Sequence, residues 1–162
     1  MDFLSLDVDK TRSRDTPVGK PLLNKDLDGS PRKHQWVYRG AVGMLSYLCN
    51  SVRPEIQMAV HQTARFSVNP MRSHELAIMR IGRYLVDSPD RGMVYNIDKT
   101  KGLEVYVDAD FAGGWSSADA SSADNVLSRT GFIICYANCP IIWCSKLQTE
   151  ITLSTAEAEY IT

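Results

Sequence analysis

The stretch Leu103-Glu104-Val105-Tyr106-Val107-Asp108-Ala109-Asp110-Phe111 constrains this chain more than any other. Leu103, Val105 and Val107 alternate with Glu104, Tyr106 and Asp108, the period of a strand with one apolar face. That face predicts a core beneath it. The other face ends in Asp108 and, two residues on, Asp110, so an extended backbone projects both acids the same way. Two carboxylates at the end of a half-buried strand repel unless something positive lies between them. A divalent cation, which prefers oxygen ligands, is one resolution. A pair of solvated turn acids is the other.

The segments after this strand complete a supersecondary pattern. Residues 130–136 are strongly apolar, Asn138-Cys139-Pro140 reads as a turn, and residues 141–145 read as a second strand, so the two form a hairpin. Residues 113–129, rich in Ser, Ala, Gly and Asp, read as a mobile loop too polar to pack. Ser154-Thr155-Ala156-Glu157 opens a helix and fits the capping box, in which the glutamate reaches back to the cap N–H. Glu159 is two positions on, about 200° round the helix, and is free for another role. The chain ends at Thr162, in the first turns of that helix, and so reads as cut off.

The residues before the strand are helical in pattern. Residues 38–49 are apolar almost all round, with Val42, Leu45 and Leu48 as one stripe, which predicts a buried helix. Pro54 and Glu55 suit the first turn of a second helix with Ile56, Ala59, Val60 and Thr63 inward. A third runs over residues 73–86 with Ile78, Ile81 and Leu85 inward. Arg80 and Arg83 lie three apart on one of its faces, placed either to contact phosphates or simply to be solvated. His61 and His74 have no partner at ligand spacing and receive no role. Residues 93–96 read as a short strand and 98–102 as a turn. Residues 1–35 are polar, without periodicity, and read as an extended arm or linker.

Charge divides along the chain. Residues 31–101 carry eleven Lys and Arg against five Asp and Glu, and residues 102–162 carry two against eight. One half could grip a polyanion and the other hold cations. Cys49, Cys135, Cys139 and Cys144 lack zinc-ligand spacing and read as reduced core thiols of an intracellular protein. No apolar run is long enough to span a bilayer, and the first residues are too charged for a signal peptide, so neither a membrane partner nor secretion is expected.

Six pieces in one order carry a resemblance: Tyr38-Arg39-Gly40-Ala41-Val42-Gly43-Met44-Leu45-Ser46-Tyr47-Leu48; Arg53-Pro54-Glu55-Ile56; Arg83-Tyr84-Leu85; Val107-Asp108-Ala109-Asp110-Phe111-Ala112-Gly113; Ser128-Arg129-Thr130-Gly131-Phe132; and Leu153-Ser154-Thr155-Ala156-Glu157-Ala158-Glu159-Tyr160. From Tyr38 to Thr162 the chain resembles the C-terminal part of copia-type retrotransposon Pol polyproteins. The resemblance implies an α+β chain in three parts: a polar arm (1–36), the helical thumb or connection of a reverse transcriptase (37–92), and a ribonuclease H-like domain (93–162). That domain is expected to be truncated to a three-stranded antiparallel start of a mixed sheet and the beginning of its first helix.

The resemblance further implies hydrolysis of the RNA strand of an RNA–DNA hybrid, with Asp108 and Glu159 as metal ligands. The complete domain would use two Mg²⁺ ions, with Mn²⁺ as a substitute. Two further family acids would lie beyond Thr162, so the chain alone is expected to be inactive. The implied partners are the hybrid or template-primer and the rest of the polyprotein. The implied location is the cytoplasm, within a virus-like particle for the parent element. The paired aspartates of a polymerase are absent, since Ala109 separates Asp108 from Asp110. Arg80 and Arg83 are the candidate nucleic-acid contacts. A nucleic-acid-binding remnant without chemistry, the product of a decayed element, and an unrelated strand–hairpin–helix domain remain as alternative readings.

Overall fold

The apolar stripes of the first half close on one another. In the computed structural model, which describes residues 14–20, 22–115 and 123–162, the chain divides into two units, Met1–Gly92 and Met93–Thr162. The first contains helix α1 (Tyr38–Ser51), a 3₁₀ turn (Pro54–Ile56) that runs into α2 (Gln57–Ala64), and α3 (Arg72–Val86). Tyr38, Ala41, Val42, Leu45 and Cys49 of α1 meet Ile56, Ala59 and Val60, with Ile78, Ile81 and Leu85 of α3 closing the core. Ile56 and Ile78 are fully buried, so trimming either to Ala would cost about 2–5 kcal/mol. The Tyr38 hydroxyl donates to Thr63 O at 2.9 Å, and burial pushes its pKa well above the ordinary tyrosine value.

Residues 14–36, read from sequence as an arm, contain no helix or strand among those described, and they lie against α3. Ser73 Oγ donates to Asp26 Oδ2 at 2.6 Å, and His74 Nε2 lies 2.9 Å from Asn24 O. His74 Nδ1 also accepts from Met71 N, and its ring stacks on Phe66. The anchor is Glu75, whose side chain has no exposed surface. It accepts from Lys33 N at 3.0 Å and His34 N at 2.9 Å, and it is paired with Arg72.

The second unit is built on an antiparallel sheet ordered β1-β2-β3, from β1 (Leu103–Asp110), β2 (Arg129–Tyr136) and β3 (Cys139–Leu147). Short helices α4 (Ala123–Val126) and α5 (Thr155–Tyr160) complete it. The protein is thus α+β with a three-stranded antiparallel sheet, and no helix among the described residues is long and apolar enough to cross a membrane. No disulfide joins the four cysteines, of which Cys49 and Cys139 are buried and Cys135 and Cys144 half-buried.

Several sequence expectations are corrected. The β2–β3 turn is Ala137–Asn138, with φ of 49° and 67°, the left-handed pair that a two-residue hairpin requires; Cys139 and Pro140 belong to the strand. Residues 93–96 form no strand. Their neighbourhood is tied to that turn by Asp98 N to Ala137 O and Asn138 Nδ2 to Asn96 O, too little for a ladder. Of the predicted mobile loop, 116–122 lies outside the described residues. Its end holds the helix α4, in which Asn125 is buried, and then Ser128, which is also buried. Helix α1 is not buried all round, since Met44 and Tyr47 are exposed.

The apolar face of β1 does not sit on a core. Leu103, Val105 and Val107 are all more than half exposed, because α5 is only six residues long and seals against the sheet through one apolar side chain, Ala158.

Candidate functional site

Hydrogen bonds position the acid-bearing end of β1. The strand runs in full register with β2, Asp108 opposite Gly131 and Ala109 opposite Thr130. Just past it, Ala112 turns with φ 47°, and its N–H donates to Ser128 Oγ at 3.3 Å. Ser128, fully buried, shares a 2.7 Å hydroxyl pair with Thr152, and its carbonyl accepts from Gln148 N at 2.8 Å. Gln148 Nε2 then donates to Thr130 Oγ1 at 3.1 Å and to Ala158 O at 2.8 Å. One buried polar chain therefore joins the end of β1, the start of β2, the end of β3 and α5.

Helix α5 separates its two glutamates. Glu157 N donates to Ser154 Oγ at 3.2 Å, while Glu157 Oε2 accepts from Leu153 N at 2.7 Å. The capping box therefore closes one residue further back than its usual pattern, on Leu153 rather than on the cap residue. Glu159 is released to the other side. It lines an open recess of about 280 Å³ together with Asp108, Val107, Ala109 and Thr162. Asp108 and Glu159 are both solvent-exposed, and neither side chain makes a hydrogen bond or ion pair with the described residues. Asp110 is not part of the recess. Its carboxylate folds over Gly113, where a Cβ would lie only 1.9 Å from Asp110 Oδ2, so the bare glycine makes room for it. No group of three or more His, Cys, Asp or Glu gathers as a metal cage among the described residues.

The arginines named from sequence lie in the helical unit. Arg80 donates from Nε to Thr16 O at 3.1 Å and from Nη2 to Thr16 Oγ1 at 2.9 Å. Arg83 and Arg80 line a second recess with Arg14. A more open surface lies on α1. Arg39, Gly43 and Tyr47 recur every four residues on one face, Tyr47 is 77% exposed, and nothing lies within 4 Å of a Cβ built on Gly43. The apolar composition of α1 hid this face; the spacing of Arg39, Gly43 and Tyr47 was the available signal.

Known proteins resemble this chain over most of its length. The retrovirus-related Pol polyprotein from transposon RE2 of Arabidopsis thaliana is 37% identical over 148 residues, covering 89% of this chain and 10% of that protein. Its counterpart from transposon RE1 is 38% identical over 123 residues, covering 76% of this chain and 8% of that protein. Secreted RxLR effector protein 161 of Plasmopara viticola is 32% identical over 124 residues, 76% of this chain and 82% of that protein. Retrovirus-related Pol polyproteins of copia-type transposons are therefore homologues of this chain over most of its length. The chain spans about a tenth of the length of the Arabidopsis Pol polyproteins that it matches. No family model and no solved structure matches this sequence.

Proposed function

We infer that this Pol segment is the junction of a reverse transcriptase thumb or connection with the front of a ribonuclease H-like domain, whose parent hydrolyses the RNA strand of RNA–DNA hybrids. The observation that carries the reading is the shared recess of Asp108 and Glu159, with Glu157 diverted to the helix cap. A strand carboxylate and a helix carboxylate, both unpaired, suit one Mg²⁺ that keeps several waters. They do not suit two ions, which need ligands from elsewhere in the polyprotein. When bound, such cations polarise the scissile phosphate and the attacking water. Asp108 and Glu159 serve as anchors on rigid elements. The basic helical unit grips the hybrid through phosphates and 2′-hydroxyls, with the Arg39–Gly43–Tyr47 face as its open contact surface.

Mn²⁺ titration followed by paramagnetic broadening of backbone amide signals tests the anchors. Broadening should centre on residues 107–109 and 159–162 and disappear in Asp108→Asn and Glu159→Gln. In Glu157→Gln it should persist, because a glutamine also completes a capping box. Loss in Glu157→Gln with retention in Glu159→Gln would reverse the assignment. A second reading, a nucleic-acid-binding remnant without chemistry, is favoured by one observation: a relative that this chain covers over most of its length is named as an effector, not a polyprotein.

A further inference from the structure

The helical unit contains a second recess, of about 310 Å³, between residues 14–23 and helices α2 and α3. Its size lies in the range that holds small organic ligands. Among the described residues, Arg14, Arg80 and Arg83 line it, and no carboxylate does. Leu22, Leu76 and Ile81 provide an apolar wall. Arg80 is committed to Thr16 by two hydrogen bonds, and residues 14–23 pass close to it, with a Cβ at Gly19 only 3.8 Å from Arg80 Cδ. The other two guanidinium groups are not satisfied. Arg14 Nε and Arg83 Nε are both buried and have no hydrogen-bond partner. Two acids touch residues that line the recess: Asp87 accepts from the Arg14 main-chain N–H at 2.9 Å, and Asp26 from Ser73 Oγ at 2.6 Å.

Three cations facing one recess repel each other, and a buried N–H without an acceptor is costly. An oxyanion in the recess relieves that repulsion, and the planar fork of arginine matches phosphate oxygens two at a time. The apolar wall adds a preference for an organic body on that phosphate. We propose that this recess is a binding site for a phosphate monoester with a compact apolar body. The proposal is independent of the hybrid reading, because it concerns one enclosed phosphate and not a row of backbone phosphates on an open face.

Phenyl phosphate is a suitable probe, with inorganic phosphate and phenol as its two halves. Arginine Nε–H signals in ¹H–¹⁵N spectra of the full chain report directly on the atoms invoked. Phenyl phosphate should shift the Arg14 and Arg83 Nε–H signals saturably, with a dissociation constant about tenfold below that of inorganic phosphate. Arg83→Gln should weaken binding by about tenfold. So should Arg14→Gln, whose main-chain bond to Asp87 is unaffected and on which no helix depends. Arg39→Gln, on α1, should leave binding unchanged. Equal affinity for phenyl phosphate and inorganic phosphate, or unaltered binding in Arg14→Gln, would overturn the proposal. Displacement of phenyl phosphate by an RNA–DNA duplex would also overturn it, by making the recess part of the duplex grip.

Discussion

Glu75 is the buried acid on which the helical unit depends. Its carboxylate has no exposed surface, and burial alone would raise its pKa. The Lys33 and His34 N–H groups and the Arg72 guanidinium outweigh that and bring it from 4.5 down to about 2. The Arg32 guanidinium lies nearby, its Nε 3.6 Å from Glu75 Oε1. At 1.36 kcal/mol per unit, the depression corresponds to about 3 kcal/mol of stability at neutral pH. The sign follows from the direction. A carboxyl depressed in the folded state stabilises fully above its unfolded value, near 4.5, and that contribution is lost as pH falls towards 2.

Glu75→Gln keeps the shape and removes the charge. Its amide NH₂ also turns a donor towards donors, since Lys33, His34 and Arg72 all donate at this point. The variant should therefore lose about 3 kcal/mol at pH 7 and much less at pH 3. Trp36 lies in the same unit, so urea unfolding followed by its fluorescence, in a Trp115→Phe, Trp143→Phe background, reads the right unit. Coincident unfolding midpoints at pH 7 would refute the reasoning. So would a Glu75→Gln variant that keeps the wild-type loss of stability between pH 5 and pH 3.

Other expected outcomes concern function. Arg39→Ala with Tyr47→Ala should weaken binding of an RNA–DNA hybrid by roughly tenfold in a fluorescence anisotropy titration, through one phosphate contact and one aromatic contact. Arg80→Ala with Arg83→Ala should leave the salt dependence of that binding unchanged, because these two residues belong to the small recess; a flattened slope would make them hybrid contacts. Gln148→Leu should cost about 1–3 kcal/mol and raise amide exchange in α5, because it removes the bonds to Thr130 and Ala158; unaltered exchange would show that α5 is held otherwise. The purified 162-residue chain should not cleave a labelled hybrid in Mg²⁺, whereas a longer Pol segment supplying further carboxylates should, and Asp108→Asn in that longer chain should abolish it. Cleavage by the short chain that is lost on Asp108→Asn would overturn this expectation.

The parts legible in the sequence are those with local causes. The stripes Ile56–Ala59–Val60–Thr63 and Ile78–Ile81–Leu85 mark buried helix faces because a helix places those spacings on one side, and all seven residues are buried. The alternation at Leu103–Asp110 marks a strand with the observed bounds, and Ser154 with Glu157 marks the start of α5. What was missed depends on distant partners. Residues 93–96 carry strand-like residues but lack a neighbour to pair with. The polar composition of residues 14–36 concealed that their main-chain N–H groups neutralise a buried acid in α3. Ser128, Thr152 and Gln148 read as loop residues because nothing local shows that their polar atoms meet each other.

The two units are stabilised by different means, and the difference bears on the candidate site. The helical unit is closed by aliphatic side chains such as Ile56, Ile78 and Ile81. In the sheet unit the buried side chains are mainly polar, Asn125, Ser128, Arg129, Thr130, Gln148 and Thr152, with Cys139 and Ala158 as the buried apolar members. All of these polar residues lie towards the end of the sheet where β1 delivers Asp108. Directional bonds fix position more sharply than apolar contact does, and a connected buried network rigidifies its surroundings even though Gln148 Oε1 is left without a partner. The acid-bearing end of β1 is therefore held firmly while its opposite end, with Leu103 and Val105 exposed, is not covered. Changes at Val105 should leave the Asp108–Glu159 geometry intact, whereas removal of the Ser128 hydroxyl breaks the link between Ala112, just past β1, and Thr152.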